Sequence, residues 1–87
     1  MYYTYFLQSI KDRKFYTGCT KNLKLRFEQH NKGVVESTKS RGPFKLVYYE
    51  ACLDQDDAFR REKYLKSNFG KKYLKSRLQT YFEKNQN

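Results

Sequence analysis

Two aromatic-rich runs at the head of the chain constrain its fold more than any other feature. Residues 2–9, Tyr-Tyr-Thr-Tyr-Phe-Leu-Gln-Ser, are rich in the residue types that suit a pleated, half-buried strand. The polar stretch Ile10-Lys11-Asp12-Arg13-Lys14 follows, and residues 14–19 make a second short strand that closes at Gly18-Cys19-Thr20. Strands this close in sequence pair as a hairpin. Its loop has no Asn-Gly or Asp-Gly pair, so the turn type stays open.

The rest of the chain supplies what covers that hairpin. Thr20 or Asn22 can cap a helix running to about Gln29–Lys32, with Gly33 as its stop. Residues 34–43 are a polar loop, and Phe44 to Leu53 reads as a third strand centred on Val47, Tyr48 and Tyr49. Asp54 starts a second helix that carries Asp56 and Asp57 in its first turn, where the helix dipole favours negative charge, and that runs to about Ser67. Gly70 is expected to separate it from a third helix near 71–84, whose stripe is Leu74, Leu78 and Phe82. The order β-β-α-β-α-α predicts an α+β domain, a small antiparallel or mixed sheet covered by helices. With 87 residues there is room for a single domain, its core over about residues 2–80, and nine Tyr and seven Phe supply much of that core.

Charge narrows the partner. Nineteen Lys and Arg against nine Asp and Glu give +10, a field that draws polyanions such as nucleic acid, RNA-rich assemblies or acidic lipid. A well-solvated surface that resists aggregation is the plainer explanation. No segment pairs a broad apolar face with a basic one, so a membrane role is not expected. Cys19 and Cys52 form no metal-ligand cluster with His30, the single histidine, and are read as reduced thiols of a cytoplasmic protein. The N-terminus lacks the pattern of a signal peptide.

Several polar residues stand where the periodicity asks for apolar ones. Ala58, Leu65 and Phe69 mark one face of the second helix, and Glu62 falls in the same row. An ionised carboxylate there needs a cation or donors; a buried ion pair with a nearby Arg would also explain it. In the first helix Leu23 and Phe27 mark the apolar stripe, and Arg26 and His30, four apart, lie along its edge, where both could aim at an anion. Tyr3 and Tyr5 share a face of the first strand, and Tyr16 lies near their hairpin partners. Phosphodiester hydrolysis needs a metal carboxylate, a cation for the developing charge and a base for water. Glu62, Arg26 and the Tyr/His group have that chemistry, although spacing alone does not bring them together.

In order along the chain, these segments resemble the GIY-YIG nuclease superfamily, in particular its small single-domain bacterial members, which are related to the N-terminal nuclease domain of the excision-repair nuclease. Tyr3-Thr4-Tyr5 stands at the Gly-Ile-Tyr triplet and Tyr16-Thr17-Gly18 at Tyr-Ile-Gly, with Tyr3, Thr4 and Thr17 as departures. Leu25-Arg26-Phe27-Glu28-Gln29-His30-Asn31 is similar to the family's first helix, the stretch from Lys39 to Glu50 to its loop and third strand, and Ala58 to Lys66 to its glutamate-bearing helix. The resemblance implies a three-stranded antiparallel sheet with the first strand central, flanked by three helices. It implies an endonuclease acting on DNA, structure-selective or weakly sequence-specific, with one Mg2+ or Mn2+ on Glu62. Arg26 would contact the scissile phosphate, and Tyr5 or Tyr16, with His30, would position or deprotonate water; the base stays unassigned. Gly18 would let the backbone turn close to the site. Tyr3 and Asn68 are further candidates. Lys39, Arg41, Lys45, Lys71, Lys72, Lys75 and Arg77 are read as phosphate contacts. The alternative is a non-catalytic basic module on the same fold, with RNA as a further partner. No feature demands a dimer, and a monomer is favoured.

Overall fold

The structure is a computed structural model, and it describes residues 1–85. Its element order is β1 (Tyr2–Ser9), β2 (Phe15–Thr20), α1 (Leu23–Lys32), β3 (Phe44–Cys52), α2 (Gln55–Lys66), α3 (Asn68–Arg77) and α4 (Gln79–Lys84). The strands form one antiparallel sheet in the order β2-β1-β3, so β1 is central as the resemblance implied. The hairpin loop is held by Ser9. Its N–H donates to the Lys14 carbonyl at 2.9 Å, while its Oγ accepts from the amides of Lys11 and Asp12 at 3.2 and 3.1 Å.

Side-chain alternation along β1 divides the interior in two. Tyr5 and Leu7 face α1 and pack with Phe44, Tyr16, Leu23, Phe27 and Leu46. Phe6 points the other way, to Leu65, Leu74, Phe15, Val47 and Tyr48. A bulge lies in the β1–β3 register, where Phe6 pairs with Tyr48 but Leu7 with Leu46. The extra residue lets the consecutive Val47 and Tyr48 serve the same core.

Helix ends follow local chemistry. Asn22 caps α1 by accepting the Leu25 amide at 3.1 Å, and Gly33 ends it in the left-handed conformation at φ 76°. Asp54 caps α2 through the Asp56 amide at 2.9 Å. The expected third helix comes in two pieces, α3 and α4, which meet at Leu78. Leu74, Leu78 and Phe82 nonetheless join one core.

Gly70 is not the separator the sequence suggested. Ser67 is: its Oγ donates to the Tyr64 carbonyl at 2.6 Å and accepts from the Gly70 amide at 3.2 Å. Gly70 lies inside the first turn of α3 because a Cβ there would sit 2.7 Å from the Tyr64 carbonyl carbon, closer than any packing allows. Phe69 is likewise corrected: it leaves the buried row of Ala58 and Leu65 and is 74% exposed.

One polar cluster pins α2 to β3. The Arg61 Nε and Nη2 donate to the two Glu50 oxygens at 2.7 and 3.0 Å, and the guanidinium lies over the Tyr64 and Tyr73 rings. Tyr48 adds a hydroxyl to Glu50 at 3.0 Å. Both charges keep a quarter to a third of their side-chain area in water. Arg61→Ala is therefore expected to cost about 1–2 kcal/mol, more than a surface pair but less than a fully desolvated one. Urea unfolding of the two proteins measures it, and an unchanged midpoint would contradict this reading.

Candidate active site

The α1 face of the sheet gathers Tyr5, Tyr16, Arg26 and His30, and Glu62 approaches from α2. Tyr5 is the centre. It is 2% exposed, and its hydroxyl meets His30 Nε2 at 2.8 Å. The other ring nitrogen, Nδ1, meets Thr38 Oγ1 at 2.7 Å. Tyr16 packs at the same place, its ring 5.0 Å from the His30 ring and 6.3 Å from that of Tyr5.

Burial pushes the Tyr5 phenol up to about 12; the Arg26 guanidinium beside it pulls the other way, and Tyr16 and the negative charge of Glu62 raise it further. One phenol thus feels side chains from β2, α1 and α2. The Tyr5 hydroxyl has a proton to give, and its hydrogen-bond partner is His30 Nε2. We assign the His30 proton to Nδ1, donated to Thr38, which leaves Nε2 to accept the Tyr5 hydroxyl.

Glu62 belongs to a helix on the opposite face of the sheet, yet its field reaches Tyr5. It also raises the Cys19 thiol, second to burial, and Cys19 faces the α2 side of β2. α2 packs against β2, an outer strand of the sheet. Gly18 lies in that strand. It pairs with Tyr5 across the hairpin, and a Cβ at Gly18 would lie 2.5 Å from Tyr5 Cζ and 3.0 Å from Tyr16 Cε2. The expectation of a turn at Gly18 is corrected accordingly: the residue sits inside a strand and clears space for a phenol.

The charges at the site are open to an incoming anion. Arg26 is half-buried and makes one hydrogen bond, from Nη1 to the Gln29 side chain at 3.2 Å; among the described residues it pairs with no carboxylate. Glu62 is not neutralised by an Arg, since Arg61 turns to Glu50. Its partner is Lys66, one turn on, 2.9 Å away and 53% exposed. No cluster of three or more His, Cys, Asp or Glu exists among the described residues. A single carboxylate beside an exchangeable cation still fits Mg2+ or Mn2+, which keep several waters and bind through one or two carboxylates plus phosphate oxygens.

His30 differs from its sequence reading. Its ring is fully buried among Tyr5, Tyr16 and Phe44 and does not face an anion directly. Burial, and then the charge of Arg26, lower its pKa to about 4. In the unfolded chain the ring takes a proton near its ordinary value of about 6.5, whereas in the fold it resists one until far lower pH. The stability it contributes is full above that ordinary value and declines as pH falls from there towards 4. Between pH 7 and 5 we expect a loss of about 2 kcal/mol, read by urea unfolding at each pH. A flat profile would contradict a neutral buried ring.

The other candidates scatter. Tyr3 shares the Tyr5 face but packs edge-on with Tyr49 at 5.9 Å and lines a separate groove with Lys21, Lys24 and Phe27. Lys71, Lys72, Lys75 and Asn68 line one groove together with Tyr16 and Thr17. Arg77 instead approaches the Tyr48 hydroxyl. Arg41 pairs with Asp12 at 3.2 Å, Lys39 with Glu36 at 3.5 Å, and Lys45 lies over the Tyr81 ring. Sequence reasoning missed Thr38, a buried residue in an otherwise polar loop that carried no signal. It also missed Lys66, which the spacing of four from Glu62 could have suggested.

Several known proteins are similar to this chain. The UPF0213 protein CPE1444 of Clostridium perfringens is 45% identical over 67 residues, 76% of this chain and 71% of that protein. The UPF0213 protein SH2523 of Staphylococcus haemolyticus is 39% identical over 67 residues, 76% of this chain and 80% of its own length. The solution NMR structure of the UPF0213 protein BH0048 from Bacillus halodurans matches with a TM-score of 0.53 at 36% identity, over 87% of this chain and 84% of that one. The sequence pattern of the GIY-YIG catalytic domain runs across residues 1–75, through every element that holds Tyr5, Tyr16, Arg26, His30 and Glu62, and the chain belongs to the GIY-YIG family.

Proposed function

We propose that this protein is an endonuclease that hydrolyses phosphodiester bonds in DNA, with one Mg2+ or Mn2+ held by Glu62. The observation that carries this reading is the buried Tyr5 hydroxyl, 2.8 Å from His30 Nε2 and beside the Tyr16 ring, in a chain that matches the GIY-YIG catalytic domain over residues 1–75. A divalent ion, when bound, polarises the phosphate and offsets charge on the leaving oxygen. Arg26 binds the scissile phosphate, and its planar fork matches the oxygens on which negative charge grows during attack.

Tyr5 positions the water. Its hydroxyl donates to His30, so the lone pairs of its oxygen remain for Arg26 and a water. A phenol near 12 is a poor base at neutral pH, so Tyr5 holds the water rather than deprotonating it. Tyr16, less buried and at the mouth of the cleft, is the second hydroxyl in reach of that water. The attacking oxygen forms a bond to phosphorus in line with the P–O bond that breaks, the water loses its proton to the surrounding solvent or a basic group, and the leaving oxygen acquires one.

Substrate capture rests on the +10 charge. No helix among the described residues is long and apolar enough to cross a membrane. A cleavage panel tests the reading: labelled single-stranded, duplex, branched and flapped DNA, and RNA, each with Mg2+, Mn2+ or EDTA. Metal-dependent product from DNA is expected. Tight, salt-sensitive binding without product on any DNA would sink the enzyme and leave a basic binding module.

A further inference from the structure

A second groove, of about 790 Å3, opens beside the site between β2, α3 and α4. Its floor is aromatic. Phe6 and Phe15 stack with centroids 4.6 Å apart and planes 4° apart, and Phe82 leans on Phe15 at 5.4 Å. Phe15 and Phe82 keep part of their surface open. The rim is cationic: Lys71, Lys72 and Lys75 are exposed, and none is paired with a carboxylate among the described residues. Tyr16 and Thr17 also line it, and the Tyr16 ring lies 6.3 Å from that of Tyr5, so the groove and the Tyr5 site share Tyr16.

We propose that this groove seats one unpaired nucleobase of the strand being cut, next to the scissile phosphate. The base packs against the open part of the Phe15 and Phe82 rings, which are tilted 59° to each other, while the neighbouring phosphates meet Lys71, Lys72 and Lys75. An apolar aromatic floor alone would suit many ligands, and a lysine rim alone would suit any polyanion. The two together match a ligand that alternates π faces with regularly spaced negative charge. A paired base buries its faces in the helix stack and cannot present one to this floor. The groove therefore favours single strands, flaps or bulges over continuous duplex. The inference rests on the proposed nuclease reading for the identity of the adjoining phosphate, and on the groove itself for the base.

The test is binding to the wild-type protein in EDTA, read by fluorescence anisotropy, with three labelled DNAs: a single strand, the same strand with one abasic position stepped along it, and the blunt duplex. We expect the single strand to bind at least about tenfold tighter than the duplex, with most of that advantage lost at one abasic position. Lys72→Ala with Lys75→Ala should weaken all three DNAs alike and flatten the salt dependence. Phe82→Leu, at a half-buried position, should erase the difference between intact and abasic strands. Equal affinity for intact and abasic strands at every position would overturn the proposal without any variant having to fold. So would a polyglutamate peptide binding more tightly than the single strand. The two readings fail separately: cleavage without a base preference removes this subsite and keeps the nuclease, and a base preference without cleavage does the reverse.

Discussion

Glu62→Gln should lower the metal-dependent cleavage rate by at least about 10³-fold, while the protein keeps its fold and its affinity for DNA. The substitution preserves size and polarity but removes the charge that would hold the ion. Its structural cost is small, because Glu62 has a single ionic partner, Lys66, one turn along its own helix and 53% exposed. Removing a carboxylate from a strongly cationic protein should tighten DNA binding slightly, not weaken it. Arg26→Ala should cost about 10²–10³-fold, in the range of a lost donor to a developing oxyanion, with little change in stability. Single-turnover cleavage with saturating enzyme separates these effects from binding. Undiminished turnover by purified, folded Glu62→Gln protein would end the assignment of this residue.

Gly18→Ala should damage both stability and activity, although it adds one methyl group. The new carbon would sit 2.5 Å from Tyr5 Cζ, and Tyr5 has no free space to retreat into at 2% exposure. Pushing the ring aside costs about 1–3 kcal/mol as overpacking. Losing its 2.8 Å bond to His30 adds about 1 kcal/mol more. The urea midpoint should fall and, on the proposed mechanism, cleavage should be nearly abolished, because the Tyr5 hydroxyl assigned to orient water would have moved. Gly33→Ala offers a contrast: its φ of 76° also makes it unstable, but the strain lies at the end of α1, and the remaining folded protein should keep more activity. Wild-type midpoint and rate for Gly18→Ala would show that Tyr5 is not confined as described.

The sequence carried most of the fold because its signals are local. Asn22, Gly33 and Asp54 act on the residues next to them, and the alternation in Tyr2–Ser9 assigns each side chain to a face without knowledge of the partner. The break between α2 and α3 was misplaced for the same reason. Glycine reads locally as a stop, whereas Gly70 is required by the approach of another helix's backbone, which no periodicity encodes. The site was legible as a set of residue types but not as a geometry. Arg26 and His30 share one edge of α1 in the sequence, yet one is half-buried with an open guanidinium and the other is sealed under the sheet. That difference comes from Thr38 and Phe44 closing over the ring, residues that lie beyond the helix. Glu62 depends on a still longer-range fact, the packing of α2 against β2, which is an outer strand.

Since the Thr38–His30–Tyr5 chain sits within the molecule's own packing, these residues have two employers. A descendant that had lost all chemistry would still need Tyr5, His30 and Gly18 in order to stand up. Glu62 and Arg26 support almost nothing mechanically, so they are free to drift once turnover no longer matters. On the proposed reading, Tyr5, His30 and Gly18 would be kept for packing alone, and Glu62 and Arg26 only where cleavage is kept.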